Sequence, residues 1–255
     1  MSVDPPALRT ATTVAFASSP ALANVSTAIT ALIATPALEA LLLVAVAWST
    51  GTRALEATAY AGVAVAFGLS VMGGAVQQVT LDRQLGVLHD MMSFRRLSMP
   101  YWISRIGVPF TLGLVPAVAG CGAVYALSGA ASPSGFLVAL VGTALCALSG
   151  ALVGSAAATA SIALDDPYLV TNVGSVLLMV TSGVVVPLSA LPTWLATLAQ
   201  ALPLTNAVAM IRDGAFTWQR VVLELVVASA WCAVGAAISA RVWRSVRAGR
   251  REEVW

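Results

Sequence analysis

Long apolar runs alternate with short polar interruptions along the chain, and the length of the runs is the first clue. They cover about 36–51, 58–79, 106–127, 136–164, 168–186 and 221–242. A bilayer-crossing helix needs about 20 predominantly apolar residues, so the pattern predicts six spans, the first rather short. The polar breaks agree with this reading. Arg53 and Glu56 mark a solvated loop, 128–135 is a Ser/Gly/Pro turn, and Asp165-Asp166-Pro167 is a turn signal. Ahead of the first run, 10–34 is rich in small residues and broken by Pro20, which predicts a helix lying at the inner membrane interface. Thr35-Pro36 then reads as a helix start, with a span beginning near Ala28 as the alternative. In the first reading Glu39 falls within a turn of the inner boundary, where a carboxylate costs less than at mid-bilayer.

Two segments are not plain spans. Between the second and third, Leu81, Leu85, Leu88 and Met92 recur at helical spacing, with Asp82, Gly86, His89 and Ser93 on another face. This predicts a short amphipathic helix on the cytoplasmic surface, ended by Pro100. Before the last span, 182–212 reads SGVVVPLSALPTWLATLAQALPLTNAVAMIR. Pro187, Pro192 and Pro203 each remove a backbone donor, predicting two short helices over about 192–202 and 204–214. Trp194 marks an interfacial depth, and Leu195, Leu198 and Leu202 form a continuous helical face.

Composition sharpens the class. Of 255 residues, 59% are hydrophobic and 9% charged, with a mean hydropathy of +0.90, against about 25% charged in a soluble domain. The chain is expected to be an all-α, multi-pass membrane protein with little mass for a soluble domain. Its 13 basic residues are all Arg, which reads as a GC-rich bacterial coding bias, and a net charge of +2 supports no nucleic-acid partner. Cys121, Cys146 and Cys232 lie inside apolar runs without metal-ligand spacing and are expected to be small buried hydrophobes. No removable signal peptide is expected from the first stretch.

With the amino terminus inside, ten Arg fall on the cytoplasmic side and Arg53, Arg212 and Arg220 outside. The positive-inside rule therefore places both termini in the cytoplasm of the inner membrane and turns the proline segment outward. Arg241, Arg244 and Arg247 anchor the last span against anionic headgroups at roughly 1 kcal/mol each. Glu224, about a turn inside the outer boundary set by Trp218 and Arg220, is expected to snorkel or pair structurally rather than touch substrate. Gly150 and Gly154 allow close helix approach, more often within one chain than between chains. Without Lys there is no phosphate-binding loop, and no hydrolase or metal motif is present. The chain is not expected to be an enzyme or to bind a cofactor.

The proline segment, read as Pro187-Leu188-Ser189, Leu191-Pro192, Pro203-Leu204-Thr205 and Arg212, resembles the outward hairpin of ABC-2-type permeases, membrane subunits of ATP-driven exporters. The stretch after the second span resembles the coupling helix of that family. Asp82, Gly86, Leu88 and His89 hold the matching positions, although Val87 replaces the common Thr and His89 a common Glu. The resemblance implies one permease domain over 1–255: an interfacial segment 1–34, six spans within 35–243 and a basic tail 244–255. It implies an ATPase docking surface of Asp82, Leu85, Gly86, Leu88, His89, Met92, Arg95 and Arg96. It also implies an outer gate of Pro187, Leu188, Pro192, Leu195, Leu198, Leu202, Pro203, Leu204, Asn206 and Arg212. Glu39 and Glu224 are the carboxylates that could border a path. Two separate ATPase subunits would carry ATP and Mg, and a second permease, a copy or a different chain, would complete the complex in the lipid membrane. The expected cargo is lipophilic or amphiphilic, such as a drug, a secondary metabolite, a lipid-linked molecule or an apolar peptide. An ion-coupled secondary transporter and a lipid-modifying membrane enzyme are the rival classes. The first should show internal symmetry and midplane charges, the second clustered polar residues at one membrane face.

Overall fold

The computed structural model describes residues 5–34, 38, 55–88, 91, 99–128, 132–184 and 188–247. These form α1 (Pro5–Ala17), α2 (Val25–Ile29, continued by a π turn Thr30–Ala34), α3 (Leu55–Gln84), α4 (Met99–Leu127), α5 (Pro133–Ser161), α6 (Leu169–Thr181), α7 (Thr193–Gln200), α8 (Thr205–Asp213) and α9 (Trp218–Arg247). Among the described residues there is no strand. Four helices among the described residues, α3, α4, α5 and α9, are long and apolar enough to cross a membrane, and the bent pair α7–α8 would make a fifth if it is one span. Their ends follow ordinary capping chemistry. Ser132 Oγ accepts from Gly135 N at 3.0 Å ahead of Pro133, and α3 carries Glu56 in its first turn and Arg83 in its last, matching the helix dipole.

Small residues decide the packing. Without a hydrophobic drive between helices in lipid, close backbone approach supplies the contact energy. The most extensive contact joins α3 and α5, where a Cβ on Gly150 would overlap the Gly68 carbonyl and one on Gly154 would press on Met72. The Gly-x-x-x-Gly pair therefore serves packing within the chain. Cys121 and Cys146 are buried, and Cys232 is half-buried. Pro109 and Pro116 lie inside α4, a placement that spanning helices tolerate.

Several expectations change. The expected fifth span is a 13-residue helix, only about 20 Å long at the usual rise and short of a ~30 Å hydrocarbon core. The amino-terminal segment is not one helix: Pro20 opens a 3-10 turn between α1 and α2, and α1 packs against α4. Pro100 sits in the first turn of α4, where a missing N–H costs nothing. The expected first span, with Glu39, lies outside the described residues.

Candidate functional site

At the end of α3 that carries Arg83, the chain turns back on itself. Gly86 has φ +74°, a left-handed conformation that favours glycine, so the helix stops at Gln84 and the two leucines after it part company. Leu85 is 66% exposed, whereas Leu88 is fully buried among Val76, Val79, Tyr101, Ala158 and Val242. The single apolar stripe expected through Leu81, Leu85, Leu88 and Met92 is thus broken by the turn. His89, Met92, Arg95 and Arg96 lie outside the described residues.

Asp82 points inward. Arg105 grips it side-on, Nε to Oδ2 at 2.7 Å and Nη2 to Oδ1 at 2.8 Å, and Tyr101 donates its hydroxyl to Oδ2 at 2.9 Å. Both charged side chains are 7% exposed. Arg105 also reaches Gln78 Oε1 at 3.4 Å, and Gln78 Nε2 donates to the Ala15 carbonyl at 3.2 Å. One polar network therefore joins α1, α3 and α4 directly above the Leu88 plug. Arg83 adds a second clamp, donating to the carbonyls of Ser161 and Leu164 at 3.0 and 2.7 Å at the end of α5. Arg105 was legible only as one more basic residue. Gln78/Asp82 and Tyr101/Arg105 are each four apart on their helices, which was the available signal.

The other end of interest is the bent pair. α7 and α8 meet at 102°, close to the two short helices predicted around Pro203. Leu198 is 44% exposed, but Leu202, expected on the same face, lies beyond the end of α7 and packs with Met72 and Leu178, as does Leu204. The gate face is therefore split: Leu198 is exposed and Leu195 half-buried, while Leu202 and Leu204 belong to the core. The turn sinks to the level of Met72, about midway along α3. Pro187 lies outside the described residues, and Leu188 opens onto the cleft beside Arg212.

Glu224 explains why the turn holds there. It is fully buried, so it does not snorkel. Its Oε1 accepts from Leu204 N at 2.6 Å and its Oε2 from Asn206 N at 3.1 Å, capping the start of α8. Leu204 is the one non-glycine residue among those described with positive φ, 75°, a strained conformation that persists only when its surroundings hold it. Thr205 Oγ1 donates to Ala199 O at 2.8 Å and Trp231 Nε1 to Ala201 O at 3.2 Å, fixing both sides of the turn. At the far end of α8, Arg212 donates to the Gly183 carbonyl, while Asp213 pairs with Arg220. Arg212 thus ties the end of α6 to α8. Glu224 shares a helical face with buried Ala228, Gly235 and Val242, which was the sequence signal that it points inward.

A sequence profile described as ABC-2 type transporter matches residues 19–216. The chain belongs to the ABC-2 type transporter family. It is a membrane component of an ABC transporter, without an ATPase domain in its matched region, and the family works with an ABC ATPase. The match takes in both the turn after α3 and the bent pair, the segments that carry the resemblance. Comparison with curated proteins matches none.

Proposed function

We propose that this ABC-2 permease exports a lipophilic or amphiphilic molecule across the bacterial cytoplasmic membrane, driven by two ATPase subunits and completed by a second permease. The observation that carries the cargo class is on α3. From 56 to 83, the side chains this helix leaves exposed are Ser70 and Gln77, seven residues apart on one face. Polar groups facing hydrocarbon are costly, so this stripe is suited to a wet path or to a partner. It lines a 350 Å³ cleft with Gln78 on the same helix and apolar Pro109, Leu112 and Pro116 opposite, a mixed lining that favours an amphiphile.

The turn at 85–88 is the proposed ATPase receiver. Leu88, buried between α3, α4, α5 and α9, would pass any push on the turn to all four helices. Leu85 is the exposed member, so Leu85→Asp is expected to abolish copurification with the ATPase and ATP-dependent uptake of a fluorescent amphiphile into inverted vesicles, with membrane level unchanged. Retained binding and uptake would sink this reading.

The orientation has its own test. In a variant lacking Cys121, Cys146 and Cys232, a cysteine at exposed Thr217 is expected to react with an impermeant thiol reagent outside intact cells, and one at Leu85 only after lysis. The reverse pattern would invert the proposed topology.

A further inference from the structure

Between α6 and α9 the structure leaves a lateral groove of 470 Å³ that the transport reading does not use. Its walls are Val173, Gly174 and Leu177 on α6 and Trp231, Val234 and Ile238 on α9, and its floor is α5 at Ala156. The hairpin turn, Leu202 and Pro203, closes one end. The lining runs from Leu169 to Leu178 along α6, about 13 Å at the helical rise, or roughly half of a ~30 Å hydrocarbon core. A partner helix crossing the membrane would need the full depth. The groove instead suits something that enters from one leaflet and stops at mid-membrane.

Its open end is not apolar. Trp231, Val234 and Ile238 are followed on the same helical face by Arg241, which is exposed, at spacings of three, four and three. The opposite rim is the turn Asp165-Asp166-Pro167, in which Asp166 Oδ1 accepts from Tyr168 N at 2.9 Å. A cation one turn below an apolar slot, with the carboxylates of Asp165 and Asp166 across the opening, is complementary to a zwitterionic head on an apolar tail, a phosphate beside an amine.

We infer that this groove binds one glycerophospholipid, its acyl chain lying between α6 and α9 and its phosphate at Arg241. Under the orientation proposed above, the lipid comes from the inner leaflet. The site itself does not depend on that orientation, nor on the ATPase partner. Gly174 gives a useful probe, because a Cβ there meets nothing within 4 Å, so a larger side chain can start into the groove without a backbone clash.

The test uses the full chain in nanodiscs doped with a phosphatidylethanolamine carrying a photoreactive group near the acyl terminus, read by peptide mapping. Labelling is expected to concentrate on α6 and α9 around Val173, Val234 and Trp231, well above that at the exposed α4 positions Val115 and Val118. Gly174→Trp should cut it about tenfold, the discrimination that displacing two buried methylenes supplies. Arg241→Gln should cut labelling by the phospholipid but leave labelling by a photoreactive fatty alcohol, which has no phosphate, unchanged. Equal labelling of α4 and the groove would mean ordinary boundary lipid and overturn the proposal, as would insensitivity to Gly174→Trp. A disulfide-linked dimer formed by Gly174→Cys in the cysteine-free background would assign the groove to a second copy. Leu85→Asp tests the ATPase reading separately and is expected to leave labelling unchanged.

Discussion

Arg105→Leu is expected to destabilise the permease by about 3–5 kcal/mol, the usual consequence of removing one partner from a buried ion pair. The Asp82 carboxylate would keep only the Tyr101 hydroxyl among the bonds described above, inside a site that admits almost no water. Asp82→Leu should be comparably damaging, because it leaves a guanidinium unpaired between α3 and α4. The double variant Asp82→Leu/Arg105→Leu should recover much of the loss, since apolar residues of similar volume often replace a buried pair at little cost. Thermal unfolding in detergent, followed by gel filtration with fluorescence detection, reads all three. Single-variant losses below about 1 kcal/mol would show instead a solvated pair of the ordinary surface kind. If the double variant is folded but no longer couples ATP hydrolysis to uptake, the pair acts in transmission between the turn and the helices, beyond holding them together.

Glu224→Leu should loosen the hairpin more than any substitution on the hairpin itself. It strands the amides of Leu204 and Asn206, each at about 1–3 kcal/mol when buried without a partner, and it releases the constraint on a left-handed leucine. Glu224→Gln keeps one carboxamide oxygen as an acceptor and should be intermediate. Limited proteolysis and hydrogen exchange over 199–206 are the measurements. The ordering wild type, Gln, Leu in increasing exchange is expected, with α3 and α5 unaffected. Equal protection in all three would mean that the neighbouring bonds from Thr205 and Trp231 hold the turn alone.

Much of the helical plan was legible because membrane helices announce themselves by length. The runs at 58–79, 106–127 and 221–242 lie within α3, α4 and α9, the run at 136–164 overshoots the end of α5 at Ser161 by three residues, and Pro203 correctly divided the hairpin. What the pattern could not carry was direction. Apolar periodicity says that Leu85 and Leu88 share a face only if the helix continues, and the left-handed Gly86 ends it. The same blindness affected the charges. Counting Arg by compartment treats Arg105 as a label of topology, and depth along a span treats Glu224 as a boundary residue. Each is instead committed to a partner on another helix, and such partners appear only when the helices are set side by side. The 13-residue α6 was overestimated because the apolar run continues into Gly183 and Val184, past the point where the backbone leaves the helix.

The backbone contact between Gly68 and Gly150 has a kinematic consequence. At that crossing the helices touch carbonyl against Cα with no side chain to repack between them, which pins α3 against α5 at this point. α3 and α5 must travel as one strut, with α8 fastened to α9 by Glu224. The piece left with freedom is α6, short, lightly held and bordered by the groove, with Arg212 as its tether to α8. On this packing α6 is the helix expected to move, and a cross-link from α6 to α9 should arrest ATP-dependent uptake where one from α3 to α5 should not.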